Sequence, residues 1–240
     1  MHLLHTLRLL GIFVSILLSK SCSHGTSKPL QQQKIDIFIQ KNSFKKEPFI
    51  SRHFGEKKWQ GTLAMNITYK PIRTIRGVIE KKLYDGKPLD YLKSWNSAGE
   101  AHITTITPVE YQECMWSEEN EIRILHMKKI EKIALAQKIQ SSDITYFGLG
   151  YGEKVFAGQN QADQTHFVIV RSQNLLNIRK EIYSAYLKNG GDSKCWDPNL
   201  FFPHITIGFT HKDIHYPDVK KNMEHSVDQR FNFKIIDENS

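Results

Sequence analysis

Nothing in this chain is apolar for long enough to cross a bilayer: its longest such run, "LLGIFVSILL" from Leu9 to Leu18, is well short of the ~20 residues a spanning helix requires. No arm of five or six like charges occurs either, which argues against a basic tail that wraps nucleic acid. The lysines fall in short clusters such as "KNSFKK" and "VKKN", whose first reading is solvated surface. Cysteine is scarce, with Cys22, Cys114 and Cys195 alone among 240 residues, so a disulfide-dense scaffold is excluded. The strand histidines lack the short ligand spacing of a zinc site. "GLGYG" at 148–152 lacks both the Lys-Ser/Thr ending and the strand-to-helix setting of a nucleotide P-loop.

What remains is an ordinary folding composition. Forty per cent of the residues are hydrophobic, enough for one large domain or two small lobes. The first residues differ: Arg8 precedes the apolar run, and "SKSCSHGTSK" then turns small and polar. This is the layout of a cleaved signal peptide over residues 1–23, and it predicts a secreted or lumenal protein without stable membrane insertion. Cys22 raises a lipid-anchored alternative, which Lys20 disfavours. Loss of the leader would remove Arg8 and Lys20 and take the net charge from +8 to +6, a modest lean toward a polyanionic partner. In an oxidising compartment Cys114 and Cys195 can pair, and burial as small apolar residues is the competing reading.

After a polar extension at 24–61, which holds one short strand candidate at "KIDIFI", two blocks follow the same plan. In the first, "TLAMNITY" reads as a strand, Pro71 opens a helix closed by the "DGKP" turn, and Ala101 to Thr107 is a strand stopped by Pro108. "SEENEIRILHMKKIEKIALAQKIQ" then has helical spacing, with acids at its start. In the second, "ITYFGLGYG" and "THFVIV" read as strands, "NLLNIRKEIYSAYLKNGG" as a helix ended by glycines, and "HITIGF" as a strand, with "FNFKII" as a last edge strand. The order predicts an α+β protein over 62–240 with two similar lobes.

Each block carries a strand with the tripeptide His-Ile-Thr, at 102–104 and at 204–206. Alternation along a strand sends His102 and Thr104 to one face and Ile103 to the other, and does the same for His204, Thr206 and Ile205. Two imidazoles and two hydroxyls can thus surround one small group. Imidazole titrates near neutrality, so one ring can accept a proton from a nucleophile while the other donates to a leaving oxygen. The hydroxyls can bond the non-bridging oxygens of a phosphodiester. The chemistry needs no metal or other cofactor. His-x-Thr alone is weak, since 11 histidines and 12 threonines give roughly half a copy by chance, and "HGT" at 24–26 is a third. Identical tripeptides, strand settings and matching places in the two blocks raise the other two.

The paired motifs in a duplicated α+β chain resemble the 2H phosphoesterase superfamily, which includes cyclic phosphodiesterases, 2′-5′ phosphodiesterases and RNA-end-processing enzymes. "GEAHITTITPVEY" and "FFPHITIGFTHKDIH" look closest to its Swiss Army Knife-type domains. The resemblance implies two pseudo-symmetric lobes, each an antiparallel sheet flanked by outer helices, with a central cleft that holds both motifs. It also implies His102 and His204 as the acid–base pair, and Thr104 and Thr206 as phosphate-binding hydroxyls. It implies a monomeric, metal-independent phosphodiesterase whose substrate is a cyclic nucleotide phosphate or an RNA end. The alternative is a 2H-fold module that binds such a ligand without turning it over. Which histidine is acid and which is base stays open.

Other residues have weaker claims. Tyr151 and Phe202 are candidates for stacking on a nucleobase, with Phe156 and Trp196 behind them. His166 can be imagined joining the two motif histidines as a third zinc ligand. His211, Asp213 and His215 read first as an exposed loop. "NIT" at 66–68 is a glycosylation sequon inside a strand.

Overall fold

The computed structural model describes residues 34–52, 61–93, 97–116 and 124–236. Alternating apolar residues build its strands: β1 (Ile35–Gln40), β2 (Leu63–Ile67), β3 (Ala101–Ile106), β4 (Thr145–Lys154), β5 (Asp163–Arg171), β6 (His204–Phe209) and β7 (Phe231–Ile236). Helices α1 (Tyr69–Leu83), α2 (Pro108–Glu110), α3 (Met127–Ala136) and α4 (Gln173–Lys188) lie between them. All described residues belong to one unit, Gln33–Ser240. The expected leader lies outside them, and no described helix is long and apolar enough to cross a membrane.

Five strands form a sheet in the order β2-β3-β6-β5-β4, antiparallel throughout. The two blocks thus meet inside a single sheet, β2 and β3 from the first and β6, β5 and β4 from the second. Their seam is paired at one register point, Ile103 opposite Ile205, while β4 and β5 pair along nine residue positions. The expected α+β architecture and antiparallel pairing are present, and the two lobes are the two sides of this short seam.

Ile103 and Ile205 are fully buried in the main core, which also takes Ile72, Ile75 and Ile79 of α1, Ile130 of α3, and Leu175, Ile178 and Ile182 of α4. Each fully buried aliphatic side chain is worth about 1.5–3 kcal/mol. A one-residue slip of either central strand would turn an isoleucine out and an imidazole in, so burial fixes the register. The opposite face has a smaller cluster of Phe167, Ile169, Ile214 and Val219, by which the segment after β6 folds back over the sheet. Glycines on β4 allow that cover: a Cβ at Gly150 would stand 2.1 Å from the Phe167 ring and one at Gly152 would stand 2.5 Å from Val219. "GLGYG" is therefore a packing feature of a strand.

The ends of the elements follow local rules. Thr107 and Glu110 form a reciprocal capping box at α2, and Ser172 caps α4 through the Leu175 amide at 3.3 Å. Gly86, with φ 81°, bonds back to the Glu80 carbonyl after α1. The helix expected from Ser117 onward starts at Met127, and the acidic residues thought to open it lie outside the described residues. "KIDIFI" and "FNFKII" form a separate parallel pair, β1 with β7, so part of the polar extension is built into the domain. A Cys114–Cys195 disulfide closes a separation of 81 residues between the turn after α2 and the loop after α4.

Candidate functional site

Antiparallel pairing about Ile103 and Ile205 sets Thr104 beside His204 and His102 beside Thr206, all four on the face opposite the isoleucines. His102 and His204 are then diagonal neighbours, whose Cα atoms in a regular ladder lie about 7–8 Å apart. Strand alternation alone predicted the shared face; the register supplied the meeting.

Two different sets of side chains stand behind the motifs. Behind His102, Nδ1 lies 3.2 Å from Oε1 of Glu100, which precedes it by two residues, just before β3 begins. Arg52 donates to Glu100 Oε1 at 2.9 Å and, through Nε, to Asn66 Oδ1 at 3.1 Å. Burial pushes the His102 imidazole below its ordinary range, and Glu100 opposes this. Burial acts to raise the Glu100 carboxyl, but His102 and Arg52 pull harder and hold it below its usual value.

Behind His204, Nδ1 donates to the carbonyl of Phe202 at 2.8 Å, which leaves Nε2 as the unprotonated nitrogen. That Nε2 is 3.1 Å from Nζ of Lys221. Lys221 is only 2% exposed and donates to Asp213 Oδ1 at 2.7 Å. Asp213 also accepts from Thr165 Oγ1 at 2.5 Å and from Thr206 Oγ1 at 2.8 Å. Burial, then the Lys221 ammonium, hold the His204 imidazole well below its usual range. Burial opposes ionisation of Asp213, yet Lys221 and the neighbouring histidines keep its carboxyl far below the ordinary range.

A cavity of about 360 Å³ opens beside the second motif. Thr104, His204, His215 and Lys221 form its polar end, and Val109, Leu200, Phe202 and Tyr216 its apolar wall. The Phe202 and Tyr216 rings stand 5.4 Å apart. On another side the buried guanidinium of Arg179 grips Glu110 with two hydrogen bonds, at 2.7 and 3.0 Å. His102 and Thr206 share the sheet face with this cavity without lining it.

The candidates separate clearly. The structure brings His102, His204, Thr104 and Thr206 together and seats Phe202 beside them. It does not bring Tyr151, which pairs with His166 on the reverse face. His166 is buried there, with Nε2 2.7 Å from Tyr84 Oη and its pKa lowered to about 4, chiefly by burial; it stands apart from the motif histidines. Trp196 belongs to the core, and Phe156 lies under Lys212, whose Nζ is 3.3 Å from its ring centre. The exposed-loop reading holds for His211; His215 is exposed too but lines the cavity, and the reading fails for Asp213, whose side chain is 8% exposed and fully bonded. The solvated-surface reading of "VKKN" fails for Lys221, because Val219 turns into the smaller core and carries the chain inward. Asn66 of the sequon is buried, its side chain held by Arg52 and the Pro48 carbonyl.

Glu100, Arg52 and Lys221 were not singled out from the sequence. Glu100 left a legible signal, an acid two residues before a strand histidine. Among the described residues, one set has metal-ligand character: atoms of His204, Asp213 and His215 lie within 4.8 Å of one another. The Lys221 ammonium already contacts two of the three.

A comparison with family models matches residues 67–215 to the Swiss Army Knife 2H phosphoesterase domain. No curated protein and no solved structure matches the chain. The matched segment covers both His-Ile-Thr strands and more than half of the sequence, and the domain points to phosphodiesterase-type activity in general. The chain therefore belongs to the Swiss Army Knife group of 2H phosphoesterases.

Proposed function

We propose that this protein hydrolyses a cyclic nucleotide phosphate or an RNA-end phosphodiester, with His102 and His204 as its acid–base pair and without a metal. The observation that carries this reading is the Ile103–Ile205 register, which turns both motifs to one face beside a cavity. In the reaction one imidazole takes a proton from water as its oxygen bonds phosphorus. The other protonates the oxygen that leaves as its bond to phosphorus breaks. Thr104 is partly buried, its hydroxyl has no hydrogen-bond partner among the described residues, and it can donate to a non-bridging oxygen. The Thr206 hydroxyl donates its hydrogen bond to Asp213 in this structure, so it would have to turn in order to do the same. Phe202 and Tyr216 offer an aromatic wall for a base.

Metal independence is supported by the lysine that sits among His204, Asp213 and His215, where its charge would oppose a divalent cation. The disulfide is in keeping with an oxidising compartment, and so with a secreted or lumenal setting. The test is turnover of 2′,3′-cyclic nucleotides and 2′-5′-linked dinucleotides in the presence of a chelator. Activity that survives chelation and is lost in both His102→Ala and His204→Ala fits the proposal. Tight binding without product across the panel would favour a non-catalytic module.

A further inference from the structure

We propose that Lys221 is a catalytic residue of this site, an ammonium that Asp213 holds ready to bind a non-bridging oxygen of the phosphodiester, and that its charge assigns His204 as general base and His102 as general acid. This rests on the phosphodiesterase reading above and adds a third group and a direction to it. Lys221 follows the segment matched by the family model, and the motifs themselves say nothing about it.

The geometry carries the argument. A buried ammonium has three donors; here one goes to Asp213 and one to His204 Nε2, which leaves a third. Lys221 also lines the cavity that Thr104 and His204 line. An anionic diester entering that cavity meets a positive charge already stripped of water, where a charge-assisted hydrogen bond is strongest. When the ammonium turns from Nε2 to the phosphate oxygen, it frees the nitrogen that must take the proton from water. Asp213 keeps its bond to Nζ throughout, so the buried charge is never unpaired.

The groups facing each imidazole set the direction. His204 faces Lys221 closely, with Asp213 behind the lysine and His215 beyond, their ring centres 6.2 Å apart. A proton on Nε2 would stand against an ammonium. His102 faces Glu100 at 3.2 Å, with Arg52 behind that carboxylate and Asp213 farther off. A proton on His102 is favoured by its nearest charged neighbour. His204 Nε2 therefore takes the proton from water, the new O–P bond forms, the bond to the leaving oxygen breaks, and His102 supplies that oxygen with a proton. Two protons move, none is created, and the imidazoles exchange charge states until solvent resets them.

The test reads His204 directly, by NMR titration of histidine-labelled protein with no substrate present. In Lys221→Met the His204 midpoint should rise toward the ordinary histidine value, while Lys221→Arg should leave it low. Where Lys221→Met fails to fold because Asp213 is stranded, Asp213→Asn/Lys221→Met leaves no buried charge unpaired. Its midpoint should also rise, since Lys221 outweighs Asp213 at His204. In turnover of a cyclic nucleotide, Lys221→Met should lose about a hundredfold in kcat, and the acidic limb of its pH profile should move up with the His204 midpoint. A midpoint that does not move overturns the proposal whatever the rate, and so does full activity in Lys221→Met. A wild-type protein that turns over no diester, while its His204 midpoint still depends on Lys221, overturns the phosphodiesterase reading and with it the catalytic role, but not the charge coupling.

Discussion

The first and second His-Ile-Thr strands have the same tripeptide, the same parity and neighbouring places in one sheet, yet a carboxylate stands behind one histidine and an ammonium beside the other. Glu100 lies 3.2 Å from His102 Nδ1, and Lys221 lies 3.1 Å from His204 Nε2. The near-symmetry of the motifs turns two imidazoles to one face of the sheet. The asymmetry of their surroundings makes them unequal, which acid–base catalysis requires. The register supplies the frame, and in the proposed mechanism the flanking charges supply the direction.

The largest expected effects come from removing either imidazole. His102→Ala and His204→Ala should each lower kcat/KM by about a hundred- to ten-thousandfold, with unchanged thermal unfolding. Comparable losses from both would show that neither ring is a bystander.

Glu100→Gln sharpens the comparison from the other side. Without the carboxylate, His102 loses the neighbour that favours its protonated form, so its pKa should fall further. A general acid works only while protonated, so the basic limb of the pH–rate profile should move to lower pH, with a loss of about tenfold at neutrality. This shift is opposite in sign and in limb to that expected on removing the ammonium at the second motif. Profiles in which the two variants move the same limb would break the assigned roles.

The Cys114–Cys195 bond offers a control that touches the two blocks equally, because it ties one to the other. In the chain-entropy model, closing a separation of 81 residues contributes about 4.5 kcal/mol. Cys195→Ser should lower chemical-denaturant stability by a few kcal/mol while leaving the pH profile of the folded fraction in place. The smallest effect is expected from Tyr151→Phe, on the reverse face of the sheet, where turnover should stay within about twofold of wild type. A large loss there would mean that substrate reaches a second face.

The parts of this molecule read from sequence are those set by short periods. Strand alternation put His102, Thr104, His204 and Thr206 on a common face, and the strand, helix and strand order gave the α+β class. The charges that distinguish the two motifs were harder to read because they come from distant or misleading segments. Arg52 arrives from the polar extension, Lys221 from a lysine cluster that resembles solvated surface, and Asp213 from a stretch rich in histidine and lysine. Tyr151 was misplaced for a related reason: strand order, which decides the face it shares with His166, is not contained in its local pattern. The burial of Lys221 depends on Val219 and Ile214 packing against Phe167, a contact between segments more than forty residues apart that no local pattern announces.

The most direct measurement is a crystal structure of the protein soaked with phosphate. The account predicts the anion between the two rings, within hydrogen-bond reach of His102, His204 and Lys221. Phosphate bound elsewhere, or the two imidazoles turned toward separate surroundings with no common space between them, would contradict it.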